Sequence, residues 1–451
     1  MHLPDSFTTA LQNYLKADLS AFEACLQMES PTSIRFNPFK SIANKQALTP
    51  VSWCSTGFYL PERPVFTLDP LFHAGAYYVQ EASSMFVAET VRQSISVDRP
   101  IKALDLCAAP GGKSTLLSSV LSEHSFLLCN EVIKSRVSVL QQNMYKWGLP
   151  NVAISNHDSK EFRGLTNFFD LVLVDAPCSG EGLFRKDPKS ISEWSPENVR
   201  LCSARQKRIL EEAAQLVKEG GVLIYSTCTY NRSENEESAA YLIKHHDFEI
   251  VPLEIPKEWN IETRSIGYQF YPHRVEGEGF YLACLRKKRK DSQIRSSILR
   301  MTNFSMKKLP KKQVPLVQAY LHQPERYQFY IKANQQIVAI PSHQVDICMQ
   351  IDQHLHRKGF GIQMGQFKRE QFIPSHQLAL STAIARNLPS VELTKKEALL
   401  FLKKEIFPVE NVPLGWTLAR YEGLNLGWMK VLKNRINNYF PKEWRIRMAI
   451  D

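Results

Sequence analysis

The sequence predicts an α/β protein organised around a doubly wound parallel sheet, and three observations carry that expectation. Short apolar runs alternate with helical stretches: IKALDLC, FLLCNEV, NVAISNHD, FDLVLVDAP and GGVLIYSTCT follow one another between residues 101 and 229. The run FDLVLV (Phe169 to Val174) is continuous rather than alternating, as in a strand buried on both faces. Acids, cysteines and glycines stand directly after these runs, at the strand ends where an open parallel sheet binds ligands.

Taken in order, DSFTTALQNYL begins as an amphipathic helix with Asp5 or Ser6 as its expected cap. SIRFNPFK (Ser33 to Lys40) alternates like a strand, with Arg35 and Lys40 either meeting phosphate or simply solvated. These elements form a separate unit over residues 1–72. The second half of Gly75 to Val91 has helical periodicity and opens a core over 73–287. Helices are expected from Ser114, from Ser135 and from Pro196 to Val217. FYLACLRK (Phe280 to Lys287) reads as a closing edge strand, after a shorter one near Glu249 to Leu253. A basic linker covers 288–312. Residues 313–376 mix short strands and turns into an α/β domain. In 377–451, Thr394 to Phe407 reads as a helix, and GWTLARYEGLNLGWMKVL as a small β-rich module.

The chain has 451 residues, 44% of them hydrophobic, enough for two to four domains at roughly 150 residues each. Its apolar runs fall short of the ~20 residues a membrane helix needs, so no membrane association is expected. The N-terminus lacks a basic flank followed by an apolar block, so no secretory signal is expected. Nine cysteines without a CxxC pair suggest neither zinc nor a disulfide framework, and point to a reducing, cytoplasmic setting. Between Arg286 and Lys312, eleven Lys and Arg stand against Asp291 alone, which accounts for nearly all of the net charge of +11. A solvated linker, nuclear targeting and attraction to phosphate all fit that run; only the last makes affinity fall steeply with salt.

DLCAAPGGKST (Asp105 to Thr115) joins the first core strand to the next helix. A Walker A loop needs a glycine where Cys107 stands, and a dinucleotide fingerprint needs three spaced glycines where only Gly111 and Gly112 occur. Neither nucleotide motif fits. Glu131, Asp158 and Asp175 end strands two, three and four. Three acids along one edge suit a nucleoside with a cationic attachment, such as S-adenosylmethionine; loop and helix capping is the plainer alternative for each.

The fifth strand ends in Cys228. In strand order 3-2-1-4-5 it neighbours the fourth, so Cys178 and Cys228 are expected close together beside Asp175, with Lys113 at the same edge. A thiolate beside a methyl donor suits methylation of a weakly nucleophilic carbon such as carbon 5 of a pyrimidine. Thiolate addition at carbon 6 makes carbon 5 nucleophilic. A second group must then remove the carbon 5 proton. Spacing alone does not say which cysteine has which task.

LDLCAAPGGKST, NEVIKSRVSVLQQN, FDLVLVDAPCSGEGLFRKDP and YSTCTYNRSENE together resemble the Sun-type RNA (cytosine-5)-methyltransferases. SIRFNPFK is similar to that family's N-terminal element. LNLGWMKVLKNRINNYFP with KEWRI is similar to the PUA-like tail of its bacterial RsmF-like branch. The resemblance implies a doubly wound, seven-stranded, Rossmann-like methyltransferase core with an N-terminal α+β RNA-binding domain and a C-terminal PUA-like region. It implies Cys228 as nucleophile and Cys178 as the residue that assists product release. On the same resemblance Asp175 is expected to hold the base and Lys113 to touch it as well. S-adenosylmethionine binding is implied for Cys107, Ala108, Ala109, Pro110, Gly111, Gly112, Lys113, Glu131, Arg136, Asp158 and Asp175, with no metal. The implied partner is RNA, foremost small-subunit ribosomal RNA, and the implied state a monomer. Transfer RNA as substrate, or an RNA-binding ribosome-assembly factor without turnover, are the alternatives. DNA cytosine-5 methylation fits less well, because those enzymes need no second strand-end cysteine.

Overall fold

A computed structural model describes residues 3–41, 48–289, 304–408 and 412–450. Helices α1 (Asp5–Leu15) and α2 (Leu19–Leu26) bury Phe7, Leu11, Phe22 and Leu26 against Phe184, Tyr230 and Tyr271 of the core. Neither Asp5 nor Ser6 caps α1. Pro4 occupies the cap position, and its carbonyl accepts from Phe7 N and Thr8 N. Proline's fixed φ brings the chain into the first turn extended, so no side-chain cap is needed.

Strands β1 (Thr32–Phe36), β2 (Thr49–Val51), β3 (Cys54–Leu60) and β4 (Tyr77–Val79) form an antiparallel sheet in the order β2-β3-β1-β4. Arg35 on β1 is fully buried, which rules out both expected roles for it. Its Nε donates to Gln80 Oε1 at 2.8 Å, and its guanidinium donates to Thr115 Oγ1 at 2.6 Å and to the Gly112 carbonyl at 3.3 Å. The same group lies 4.4 Å from the Trp147 ring centroid. Lys40 likewise points inward and donates to the Ala74 and Lys146 carbonyls. Strand alternation assigns a face; here the polar-looking face is covered by the central α/β core.

The core sheet contains β5 (Lys102–Asp105), β6 (Phe126–Asn130), β7 (Val152–Ser155), β8 (Phe169–Asp175) and β9 (Val217–Thr227), parallel in the order β7-β6-β5-β8-β9. This is the expected 3-2-1-4-5 arrangement. β8 feeds both layers: Leu171 and Leu173 face one apolar cluster, Val172 and Val174 the other. Helices α4 (Val87–Ser94), α5 (Gly112–Val120) and α6 (Lys134–Trp147) cover the first face, after the short α3 (Pro70–Ala74). On the other face, α7 (Lys189–Glu193) leads into α8 (Pro196–Leu216), which contributes Ile209 and Leu210.

The sheet has ten strands rather than seven. β10 (Phe248–Ile250), β11 (Glu262–Thr263), β12 (Tyr268–Phe270) and β13 (Phe280–Lys287) extend it antiparallel beyond β9. β13 is not an edge strand, because β9 and β12 flank it on both sides. β14 (Lys307–Lys308), β15 (Tyr327–Ile331), β16 (Ile337–Pro341), β18 (Ile362–Lys368) and β19 (Gln371–Pro374) form a second sheet, from which β17 (Lys358–Phe360) departs to pair with β7. Tyr330, Val338 and Ile340 join the core's own apolar cluster, so this region is welded to the central sheet. A last sheet holds β20 (Ser390–Glu392), β21 (Gly415–Tyr421), β22 (Leu424–Leu432) and β23 (Arg435–Asn438).

The basic run is not uniformly a solvated linker. Arg286 donates to the Gly220 and Ser94 carbonyls, and Lys287 to those of Ala214 and Val217. Lys307 and Lys308 are exposed on β14. Residues 290–303 of the run lie outside the described residues.

Candidate active site

Parallel pairing of β8 with β9 sets Asp175 opposite Ser226. The loops that follow therefore leave one sheet edge side by side. Cys178 Sγ and Cys228 Sγ meet at 3.0 Å, and the Cys228 amide donates to Cys178 Sγ at 3.3 Å. Both cysteines are free thiols. The hydrogen bond to Cys228 is the largest influence on the Cys178 thiol and, with burial, pushes its pKa well above the ordinary range. Cys178 is therefore held as the thiol, in contact with the Cys228 sulfur.

Lys113 Nζ lies 2.8 Å from Asp175 Oδ2, while Ser226 Oγ donates to Asp175 Oδ1 at 2.8 Å. Burial works against the Lys113 ammonium, but the Asp175 carboxylate outweighs it and raises the lysine pKa. A fixed cation–anion pair therefore stands beside the two thiols.

Two acids not singled out from the sequence hold the cysteine loops together. Glu181 Oε2 accepts from the Tyr230 and Asn231 amides at 2.8 and 3.1 Å, and from Thr229 Oγ1. Glu234 Oε2 accepts from the Ser179 amide and from Gln206 Nε2. Their sequence signal was an acid inside each cysteine motif, GEG after Cys178 and SENE after Cys228. Glu181→Ala strands the buried Tyr230 amide and the partly buried Asn231 amide. It is expected to cost about 2–4 kcal/mol of stability by urea unfolding and to separate the thiols.

The glycine turn lies across β5 from this pair. Gly111 has φ 111°, a conformation suited to glycine, and a Cβ there would press 3.3 Å from Leu140 Cδ1. The turn delivers the chain to the N-terminus of α5. Glu131, at the end of β6, is 3% exposed; its Oε1 accepts from the Ile133 amide, and Arg136 Nη1 lies 3.4 Å from Oε2. Arg136 also donates to the Ala109 carbonyl at 2.7 Å, which ties strand end, arginine and turn together. Asp158 is a helix cap: its side chain accepts from the Lys160 amide, in a reciprocal capping box with Glu161. The Cys107 thiol, raised by burial and by nearby acids, is neutral. Val132 and Ile133 are 55% and 49% exposed just beyond β6, an apolar shelf that the sequence reading passed over.

Asp105 also escaped notice. It is fully buried, accepts from Ser114 Oγ at 2.6 Å, and its Oδ1 has no partner among the described residues. Burial lifts its pKa from 3.8 to about 7. The folded chain thus holds a proton that the unfolded chain releases. The stability so gained is complete below about pH 4 and lost as pH rises through about 7. Unfolding free energy should therefore decline between those limits by up to about 1.4 kcal/mol per pH unit, and Asp105→Asn should flatten that slope.

Three family models match: the N-terminal domain of 16S rRNA methyltransferase RsmF over 3–82, 16S rRNA methyltransferase RsmB/F over 97–286, and the methyltransferase RsmF PUA domain over 388–446. Ribosomal RNA small subunit methyltransferase F of Aliivibrio fischeri is 32% identical, the match covering 98% of this chain and 97% of that protein. The chain belongs to the RsmB/F family. Its similarity extends to ribosomal RNA small subunit methyltransferase F of Escherichia coli, 29% identical over 98% of this chain and 96% of that one. Among solved structures, a methyltransferase homologue from Pyrococcus horikoshii aligns at 26% identity and TM-score 0.55, covering 63% of this chain and 95% of that one. NSun6 from the same organism shares the fold at 20% identity and TM-score 0.54, over 64% of this chain and 99% of that one. RsmB/F proteins are methyltransferases of the kind that uses S-adenosylmethionine. The glycine turn, the buried Glu131 and the exposed Val132–Ile133 shelf fit a nucleoside carrying a cation.

Proposed function

We propose that this RsmB/F protein methylates carbon 5 of cytosine in small-subunit ribosomal RNA through a covalent bond from Cys228. The observation that carries the reading is the 3.0 Å contact of the two thiols beside the Lys113–Asp175 pair. S-adenosylmethionine supplies an electrophilic methyl group. The backbone from Cys107 to Lys113 and the side chains of Glu131, Arg136 and Asp175 hold it, with Asp158 at the rim.

Cys228 is the nucleophile, the role that the resemblance of YSTCTY to the family's motif gives it, and Cys178 lies 3.0 Å away to assist release. Its thiolate adds to carbon 6 of the ring. Negative charge grows on the ring's nitrogen-3 side, where Asp175 accepts from the exocyclic amine and Lys113 offsets the charge. Carbon 5, now nucleophilic, takes the methyl group. With Cys228 bonded to the ring, Cys178 passes its proton to a solvent base and, as thiolate, takes the carbon 5 proton; the C5–H electron pair restores the ring double bond as the carbon–sulfur bond breaks and Cys228 leaves as thiolate.

Flipping a paired cytosine out costs a few kcal/mol, less in a loop. The N-terminal unit and the PUA-like region supply the compensating RNA contacts, mostly directed at shape and phosphate. The chain acts as a monomer in the cytoplasm, where both thiols stay reduced. Incubation of small-subunit RNA with the protein and labelled S-adenosylmethionine, followed by bisulfite sequencing, should show label and conversion-resistant cytosines together. Label confined to another base or another ring position would contradict the reading.

A further inference from the structure

A second concavity lies outside the thiol site. A cleft of about 450 Å³ is lined by α6, by the paired strands β7 and β17, and by residues of β16 and β18. Among the described residues no Asp or Glu lines it. Two of its four cations are neutralised: Lys358 by Asp352 at 2.7 Å and Arg357 by Glu161 at 3.1 Å. Lys134 and Lys332 have no carboxylate partner among the described residues. Burial, and then Lys358 nearby, push the Lys332 pKa down, the mark of a half-buried cation lacking an anion.

The floor is open where it faces that cation. A Cβ added at Gly359 would meet only Lys332 Nζ, at 3.9 Å. Tyr145 on α6 and the partly buried Ile154 on β7 supply an aromatic and an apolar wall. The mouth of the cleft adjoins the catalytic edge: Asn156, on its lining, donates to the Glu131 and Val132 carbonyls. Unpaired cations, an aromatic wall and no acid describe a site for a nucleotide.

We infer that this cleft holds one nucleotide of the RNA substrate other than the target cytosine, with its phosphate drawn to Lys332 and Lys134 and its base against Tyr145. The inference rests on the RNA-methylating reading above and adds a contact that fixes which RNA segment runs past the site. Because β17 comes from the C-terminal half of the chain, the cleft also makes that half part of substrate selection.

The test is filter binding of full-length protein to small-subunit RNA across a salt series, with S-adenosylmethionine affinity measured in parallel. Gly359→Trp fills the cleft and should weaken RNA binding about tenfold or more, the loss of one stacked base. Lys332→Gln should make the plot of log affinity against log salt shallower by about 0.7, one single-strand phosphate contact. Cofactor affinity should be unchanged in both. Wild-type RNA affinity and salt slope in Lys332→Gln would overturn the inference, even where Gly359→Trp fails to fold. So would loss of cofactor affinity with RNA binding intact, or saturable binding of cytidine monophosphate that Lys332→Gln abolishes without affecting RNA. Binding is read directly, so a chain that binds RNA through the cleft but does not methylate it would fail the earlier reading alone.

Discussion

Cys228→Ala is expected to lower turnover by at least about four orders of magnitude, the scale set by removing a covalent nucleophile. No neighbouring group replaces it. Cys178 lies 3.0 Å from the position, but burial still holds its proton in the variant, and Cys107 across the turn is neutral as well. The Lys113–Asp175 pair, proposed above to meet the base, stays in place, so RNA and cofactor affinities should change little. A radiolabel transfer assay on small-subunit RNA measures the loss; retention of more than a few per cent of wild-type turnover would remove Cys228 from the role.

The second large effect lies far from the chemistry. Arg35→Ala should destabilise the chain by about 3–5 kcal/mol, a large part of a typical domain's stability. The truncation removes the donors to Gln80, Thr115 and the Gly112 carbonyl, and empties the space over Trp147. Burial lowers the Arg35 pKa to about 10, so the group is still charged at neutral pH and depends on these acceptors. Because Gly112 and Thr115 open α5, the variant should also bind S-adenosylmethionine more weakly at temperatures where it stays folded. Arg35→Lys should not rescue it, since an ammonium cannot reach three acceptors and cover a ring in one geometry. Urea unfolding with a parallel cofactor titration checks both effects; a stability change under about 0.5 kcal/mol would contradict this account of Arg35.

Arg35 also marks where the sequence stops being legible. SIRFNPFK alternates as a half-exposed strand does, and alternation says nothing of what lies above the second face. The layer that buries Arg35 comes from residues 112–147, remote in sequence. FYLACLRK was misplaced at an edge for a related reason: an apolar run reveals burial but not the number of neighbours, and β12 is only three residues long. β17 was invisible because three residues carry no period.

The strand ends were legible because a buried run that stops at Asp175-Ala176-Pro177-Cys178 has an abrupt physical cause. Parallel order then brought Cys228 beside Cys178 without further assumption. Glu181 and Glu234 lie in the same motifs, yet nothing local distinguishes a buried carboxylate accepting three bonds from a solvated loop acid. Asp158 shows the converse: an acid at a strand end proved to cap the helical turn beneath it.

The division of labour between the thiols is tested most directly by denaturing electrophoresis of protein, small-subunit RNA and S-adenosylmethionine, followed by mapping of the RNA-linked peptide. The account predicts that Cys178→Ala accumulates a methylated adduct linked at Cys228, that wild type shows little of it, and that Cys228→Ala and the double variant show none. An adduct found in Cys228→Ala but not in Cys178→Ala would contradict it.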